Sequence, residues 1–173
     1  MLGKKQLKLG AFFNFPGHNS GAWRHSSTSK EQELNIDFVI EQTKLAELAK
    51  FDMVFLADKV AFANHFEQAF SQGGLSRFEP LTLLSALAVL TREIGLVGTA
   101  STTFNEPYNL ARKFASLDHI SKGRAGWNVV TSYSPSETRN FADQDLLAHK
   151  KRYERAYELV VFITYPDFSK SCL

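Results

Sequence analysis

Short apolar runs alternate with stretches of helical periodicity along the chain. Residues 7–13 (LKLGAFF), 52–57 (DMVFLA), 94–102 (IGLVGTAST) and 125–131 (AGWNVVT) each read as a strand. Between the first two, Ile36, Val39, Ile40, Ala46 and Ala49 recur at helical spacing within residues 33–50. Residues 80–93 open on Pro80, whose missing N–H has no partner in a first helical turn anyway. A third helix starts near Asn105, Glu106 and Pro107 and stops at Lys122-Gly123, and a fourth runs from 145 to about 162. No hairpin signal separates any two strands, so the pattern predicts an α/β fold on a parallel sheet buried on both faces. Two architectures share that pattern: an open doubly wound sheet and the first half of an eight-stranded barrel. The first strand–helix connection, FNFPGHNSGAW, has no G-x-G-x-x-G and no tight turn into a helix, which weighs against dinucleotide binding. In both architectures ligands sit beyond the carboxyl ends of the strands.

The polar residues at those ends are the candidates for function. They are Asn14 after the first strand and Asp58 after the second. Thr99, Ser101, Thr102 and Thr103 end the third, and Asn128, Thr131 and Ser132 the fourth. Amide, carboxylate and hydroxyls supply donors and acceptors for a flat ligand with several hydrogen-bonding groups. Any one of them alone is more often a cap or a turn residue. Asp58 directly follows an apolar strand, so its carboxylate needs a partner, Lys59 or a loop N–H among them. His149 and Tyr153, four apart, share one helix face, as a ligand-binding pair or as a surface aromatic pair.

Composition narrows the classes. The chain has 173 residues, 44% of them hydrophobic, which suits one domain or part of a larger one. A net charge of +2 with scattered basic residues points to neither nucleic acid nor a membrane surface. The densest cluster, Lys150-Lys151-Arg152, reads as a solvated helix face. A single cysteine, Cys172, excludes an intramolecular disulfide or a cysteine metal site and fits a reducing compartment. His18, His25, His65 and His119 show no ligand spacing, no H-E-x-x-H is present, and no metal is expected; His119 reads as a structural histidine beside Asp118. Trp23, Trp127 and the many phenylalanines read as core. No apolar run approaches the ~20 residues of a membrane span, and the start of the chain is no secretory signal, so the cytoplasm is the expected location.

Against this background GRAGWNVVTS (123–132) is decisive. With FLAD (55–58), EPLTLLSALAVLT (79–91), IGLVGTASTTFNEPY (94–108), LDHIS (117–121), RNF (139–141) and H-x-x-R-Y (149–153), it resembles the flavin-dependent monooxygenases of the bacterial-luciferase-like superfamily. The branch it is most similar to contains nitrilotriacetate monooxygenase component A and dibenzothiophene-sulfone monooxygenase. The resemblance implies the N-terminal half of a (β/α)8 barrel for reduced FMN. It further implies O2 as co-substrate, a small organic substrate, a separate NADH:flavin reductase and a homo-oligomer. It carries FMN contacts over to Asp58, Thr99, His149 and Tyr153, and less firmly to Thr102 and Asn128; it assigns no catalytic residue. A barrel using the deazaflavin F420 is the related alternative, and GWNVVTS with H-x-x-R-Y favours FMN.

The resembling stretches cover about residues 7 to 158, which places the barrel part at 1–158, whereas 159–173 (LVVFITYPDFSKSCL) looks unrelated, as from a frameshift or premature end. Four strands of eight would leave open edges, an uncovered inner face and no phosphate-binding loops. Little activity is therefore expected from this chain alone, and a non-catalytic half-barrel acting as a structural or binding module is the alternative.

Overall fold

The computed structural model describes residues 6–15, 17–19, 22, 25–26, 34–61, 77–141 and 145–164. The expectations for Trp23, His65, Cys172 and the end of the tail, and most of those for the loops 14–32 and 59–79, lie outside the described residues.

Four strands form the sheet: β1 (Gly10–Phe13), β2 (Met53–Leu56), β3 (Gly95–Ser101) and β4 (Ala125–Val130). They are hydrogen-bonded in the order β1-β2-β3-β4, all parallel. The helices are α1 (Ile36–Leu48), α2 (Pro80–Ala88), α3 (Pro107–Ser121), α4 (Pro135–Thr138) and α5 (His149–Thr164). Strand order that follows chain order, with no reversal, is the arrangement of a barrel segment, because a doubly wound sheet reverses direction at a switch point.

The side chains agree. Val54, Leu56, Leu96 and Ala100 alternate along β2 and β3 toward one face and join Val39, Leu81, Leu84, Leu110, Leu117 and Leu159 of the helices in one core. Gly98 lets α2 approach β3, since a Cβ there would stand 3.0 Å from Leu84 Cδ1. Trp127 packs on Phe114 of α3 and donates its indole N–H to Ala100 O at 3.0 Å. The opposite face is not buried to the same degree: Phe12 is 44% and Met53 38% exposed. Sequence patterning predicts burial on both faces, but this second face is the concave side, and no described helix covers it.

Helix ends follow local chemistry where local chemistry is strong. Asn35 Oδ1 accepts the Phe38 N–H at 3.0 Å to start α1. Glu79 does the same for α2, accepting from Leu81 N at 3.0 Å and Thr82 N at 2.7 Å, with Pro80 at the first position. Lys122 and Gly123 close α3 with φ of 61° and 84°, the left-handed geometry glycine favours.

α2 stops short of the expected 93, and tertiary contacts are the reason. Glu47 Oε1 accepts the N–H groups of Arg92, Glu93 and Ile94 at 2.9, 2.7 and 3.0 Å. Arg124 donates to the carbonyls of Ala88, Thr91, Ile94 and Ser121 and to Thr91 Oγ1, all between 2.7 and 3.2 Å. The Arg of GRAGW thus bolts the end of α2 to the start of β4. The basic cluster on α5 is split: Lys150 and Lys151 are exposed, but Arg152 is buried and donates to Leu147 O at 2.6 Å. Arg152 shares the inward stripe of Ala156 and Leu159, a helical spacing that overrides its charge. His119 stands exposed on α3, and Asp118 instead accepts the Ala125 N–H at 3.2 Å.

Candidate functional site

A cavity of about 670 Å³ opens at the carboxyl ends of β2, β3 and β4 and runs beneath α5. Its floor is Asp58 after β2, Thr99 and Ser101 on β3, and Asn128 on β4. Thr131, Ser132 and Tyr133 form one rim, and Glu137 of α4 another part of it. Tyr153, Ala156, Tyr157 and Val160 of α5 supply the remaining wall. Volume and mixed lining are those of a cofactor or small-molecule site.

The floor is rigid because strands hold it. Thr99 and Asn128 are register partners, and Asn128 Nδ2 donates to Thr99 Oγ1 at 3.0 Å. The Ser101 and Ser132 hydroxyls meet at 2.8 Å, with Ser132 in a left-handed conformation at φ 51°. Arg155 fastens α5 to the end of β3 by donating to Thr102 O at 3.0 Å and Asn105 O at 3.3 Å. Phe104 and Phe141 stack at 4.6 Å and tie the loop after β3 to the segment after α4.

Asp58 is the electrostatic focus. Burial pushes its carboxyl above the usual carboxylate range, and the nearby charges of Glu79 and Glu137 push the same way. The Lys59 backbone N–H and the Arg77 charge oppose this incompletely. The expected pairing with Lys59 is therefore made by its main chain.

Of the six residues to which the resemblance carries FMN contacts, four border the cavity: Asp58, Thr99, Asn128 and Tyr153. His149 does not; its ring packs against that of Tyr153, centroids 4.6 Å apart. Thr102 does not either. It is 0% exposed, and both its N–H and its hydroxyl donate to Val130 O, at 2.9 and 3.1 Å. Its place is a clasp between the tips of β3 and β4. Three polar residues lining the cavity escaped the sequence reading: Tyr133, Glu137 and Tyr157. Tyr157 lies four residues beyond Tyr153 on the same helix face. Glu137 had a signal in Ser134-Pro135-x-Glu137, a capping-box pattern with proline at the first position, and it is only 8% exposed while its carboxylate accepts the Ser134 N–H at 3.3 Å.

Known proteins resemble this chain in sequence and in fold. The chain is 49% identical over 160 residues to N-acetyl-S-(2-succino)cysteine monooxygenase of Bacillus subtilis (strain 168), covering 92% of this chain and 35% of that protein. It is 44% identical over 167 residues to nitrilotriacetate monooxygenase component A of Aminobacter aminovorans, covering 90% of this chain and 36% of that protein. A riboflavin lyase solved with modified FMN and riboflavin superimposes with a TM-score of 0.83 at 35% identity, covering 92% of this chain and 37% of that one. The chain thus spans little more than a third of the length of the curated relatives it matches. The four-stranded sheet corresponds to the N-terminal part of their barrels, which resolves the choice left open by strand pattern alone. No helix among the described residues is long and apolar enough to cross a membrane. With the family model matching residues 16–164, the chain belongs to the luciferase-like monooxygenases.

Proposed function

We propose that this chain forms the flavin-facing wall of a two-component monooxygenase that uses reduced FMN and O2 to oxidise a small organic substrate. The observation that carries the reading is the cavity itself, with Asp58, Thr99 and Asn128 set on the ends of three adjacent strands. Family membership, a relative named as a component A and a similar structure holding a modified FMN support it.

The residues fit a flavin ring. Thr99 and Asn128 offer hydrogen-bonding groups on the floor, and Asp58 adds a carboxyl that burial holds above the usual carboxylate range. Tyr153 and Tyr157 close one side, with His149 supporting Tyr153 from behind. Thr102 acts through Val130 as a positioning residue. Val129, Val130 and Val160 give part of the wall an apolar surface. Reduced FMN, when bound, supplies the electrons that activate O2. A separate NADH:flavin reductase supplies the reduced FMN, and the protein works in the cytoplasm as a homo-oligomer.

No Lys or Arg is among the described residues lining the cavity, so these walls hold the ring rather than the phosphate. The 173-residue chain alone is expected to quench FMN fluorescence weakly and to give little O2-dependent turnover with a reductase and NADH. Absence of quenching at any flavin concentration would overturn the reading; quenching lost in Asp58→Ala would support it. A second reading, a non-catalytic half-barrel module, is favoured by the exposure of Phe12 and Met53 on the concave face. A discrete dimer on size-exclusion chromatography with no flavin quenching would select it.

A further inference from the structure

A second, smaller recess lies at the tips of β1 and β2. It holds about 50 Å³ and borders the large cavity at Ala57, which lines both. Phe13, Phe15, Leu56 and Phe78 give it apolar walls, and Asn14 and Arg77 are its polar members. Asn14 Nδ2 is already engaged, donating to Gly17 O at 3.4 Å. The Arg77 guanidinium is exposed and makes no hydrogen bond or ion pair among the described residues. Neither acid near it neutralises it by contact. Glu79, two residues on, spends both carboxylate oxygens on the start of α2, accepting from Leu81 N, Thr82 N and Thr82 Oγ1. Asp58 feels the Arg77 charge without pairing with it, and burial keeps its carboxyl above the usual range.

An apolar recess with one unengaged fork of N–H donors is the complement of a carboxylate on a short alkyl stem. The volume takes a few water-sized groups and no ring, so the rest of such a molecule extends past Ala57 into the large cavity. We propose that Arg77 binds the carboxylate of an anionic organic substrate, with the stem in the recess at the tips of β1 and β2. The inference rests on the monooxygenase reading above and deepens it by naming the substrate class. The recess shares neither Thr99 nor Asn128 with the cavity floor, so substrate and flavin ring occupy neighbouring space and meet beside Ala57. A neutral analogue of the same shape forgoes the charge-assisted pair and binds more weakly.

The test needs no bound flavin. The 173-residue chain is titrated at low ionic strength with phenylacetate and with phenylacetamide, its neutral isostere, and binding is followed by saturation-transfer NMR of the ligands. Phenylacetate is expected to bind about tenfold more tightly, the effect of one charge-assisted pair, and added salt to erode the difference. Arg77→Gln is expected to bring the two ligands to equal affinity, and Arg77→Lys to keep part of the preference. A circular-dichroism melt shows whether each variant keeps its fold; if one does not, the two ligands and their salt dependence on the unaltered chain decide alone. Equal affinity of the unaltered chain for both ligands, binding of neither, or a carboxylate preference that survives in folded Arg77→Gln overturns the inference. Quenching of FMN fluorescence by the same preparation tests the flavin reading separately. Where quenching is seen, that reading stands whatever Arg77 does; where it is absent, both fall.

Discussion

Asp58 follows an apolar strand, and the nearby negative charges of Glu79 and Glu137 act on its carboxylate. Its folded pKa lies above the unfolded value, so the folded protein binds this proton more tightly than the unfolded chain does. Stability is then greatest below the unfolded pKa and declines as pH rises toward the folded one. Asp58→Asn is accordingly expected to melt several degrees higher than the native chain at pH 7 and at nearly the same temperature at pH 3, measured by thermal denaturation at both pH values. The gain would come with weaker flavin quenching, the usual exchange of stability for function at a site. Glu47 shows the opposite balance. Burial pushes its carboxyl up, but the three backbone N–H groups of residues 92–94 and the Arg124 charge bring it below its ordinary value. Its contribution is present above the unfolded pKa and is lost as pH falls, so Glu47→Gln is expected to flatten the acid side of the stability curve. Arg124 completes that cluster with donors to four carbonyls and a hydroxyl. Arg124→Ala is expected to cost about 3 kcal/mol in urea denaturation, because buried acceptors lose their partner. Arg124→Lys should recover only part of this, since one ammonium cannot span the fork.

Among the elements, α2 is the most deeply embedded. Leu84 and Leu87 are fully buried beneath β3, and Leu84→Ala is expected to cost about 3 kcal/mol through lost contacts and the cavity left behind. α4 is only one turn long, and its capping box sets where Glu137 enters the cavity. Ser134→Ala is expected to lower stability by about 1 kcal/mol and to weaken flavin quenching, which a cap remote from the site would not do. α5 divides its faces by function. Arg152 and Leu159 are buried on one side, Tyr153, Tyr157 and Val160 border the cavity, and the buried Ala156 between them also lines it. The run Lys150-Lys151-Arg152 looks uniform along the chain, yet the helical turn puts its third member inside.

At the scale of the molecule, a singly wound sheet with helices on its convex side leaves a concave face of Phe12, Met53, Phe55 and Val97. Phe12 and Phe55 pack there as a tilted ring pair, centroids 4.7 Å apart. That face is expected to bind a hydrophobic reporter dye, and Phe12→Lys should remove much of the signal with little change in melting temperature. The parallel pairing and the polar tips of the strands were readable from the chain, because period and composition are local properties: an apolar run without hairpin turns has few ways to pair. The Lys122-Gly123 stop was readable for the same reason, being a contact within a few residues. The early end of α2, the burial of Arg152 and the solvent on the concave face were not, since each depends on what another element brings. The same division runs through the site. Sequence placed Thr99 and Thr102 together at the end of one strand; only the tertiary structure turned Thr99 into the cavity and Thr102 back onto Val130. Side-chain direction at a strand's end depends on where the pairing stops, and the partner strand, not the residue, decides that.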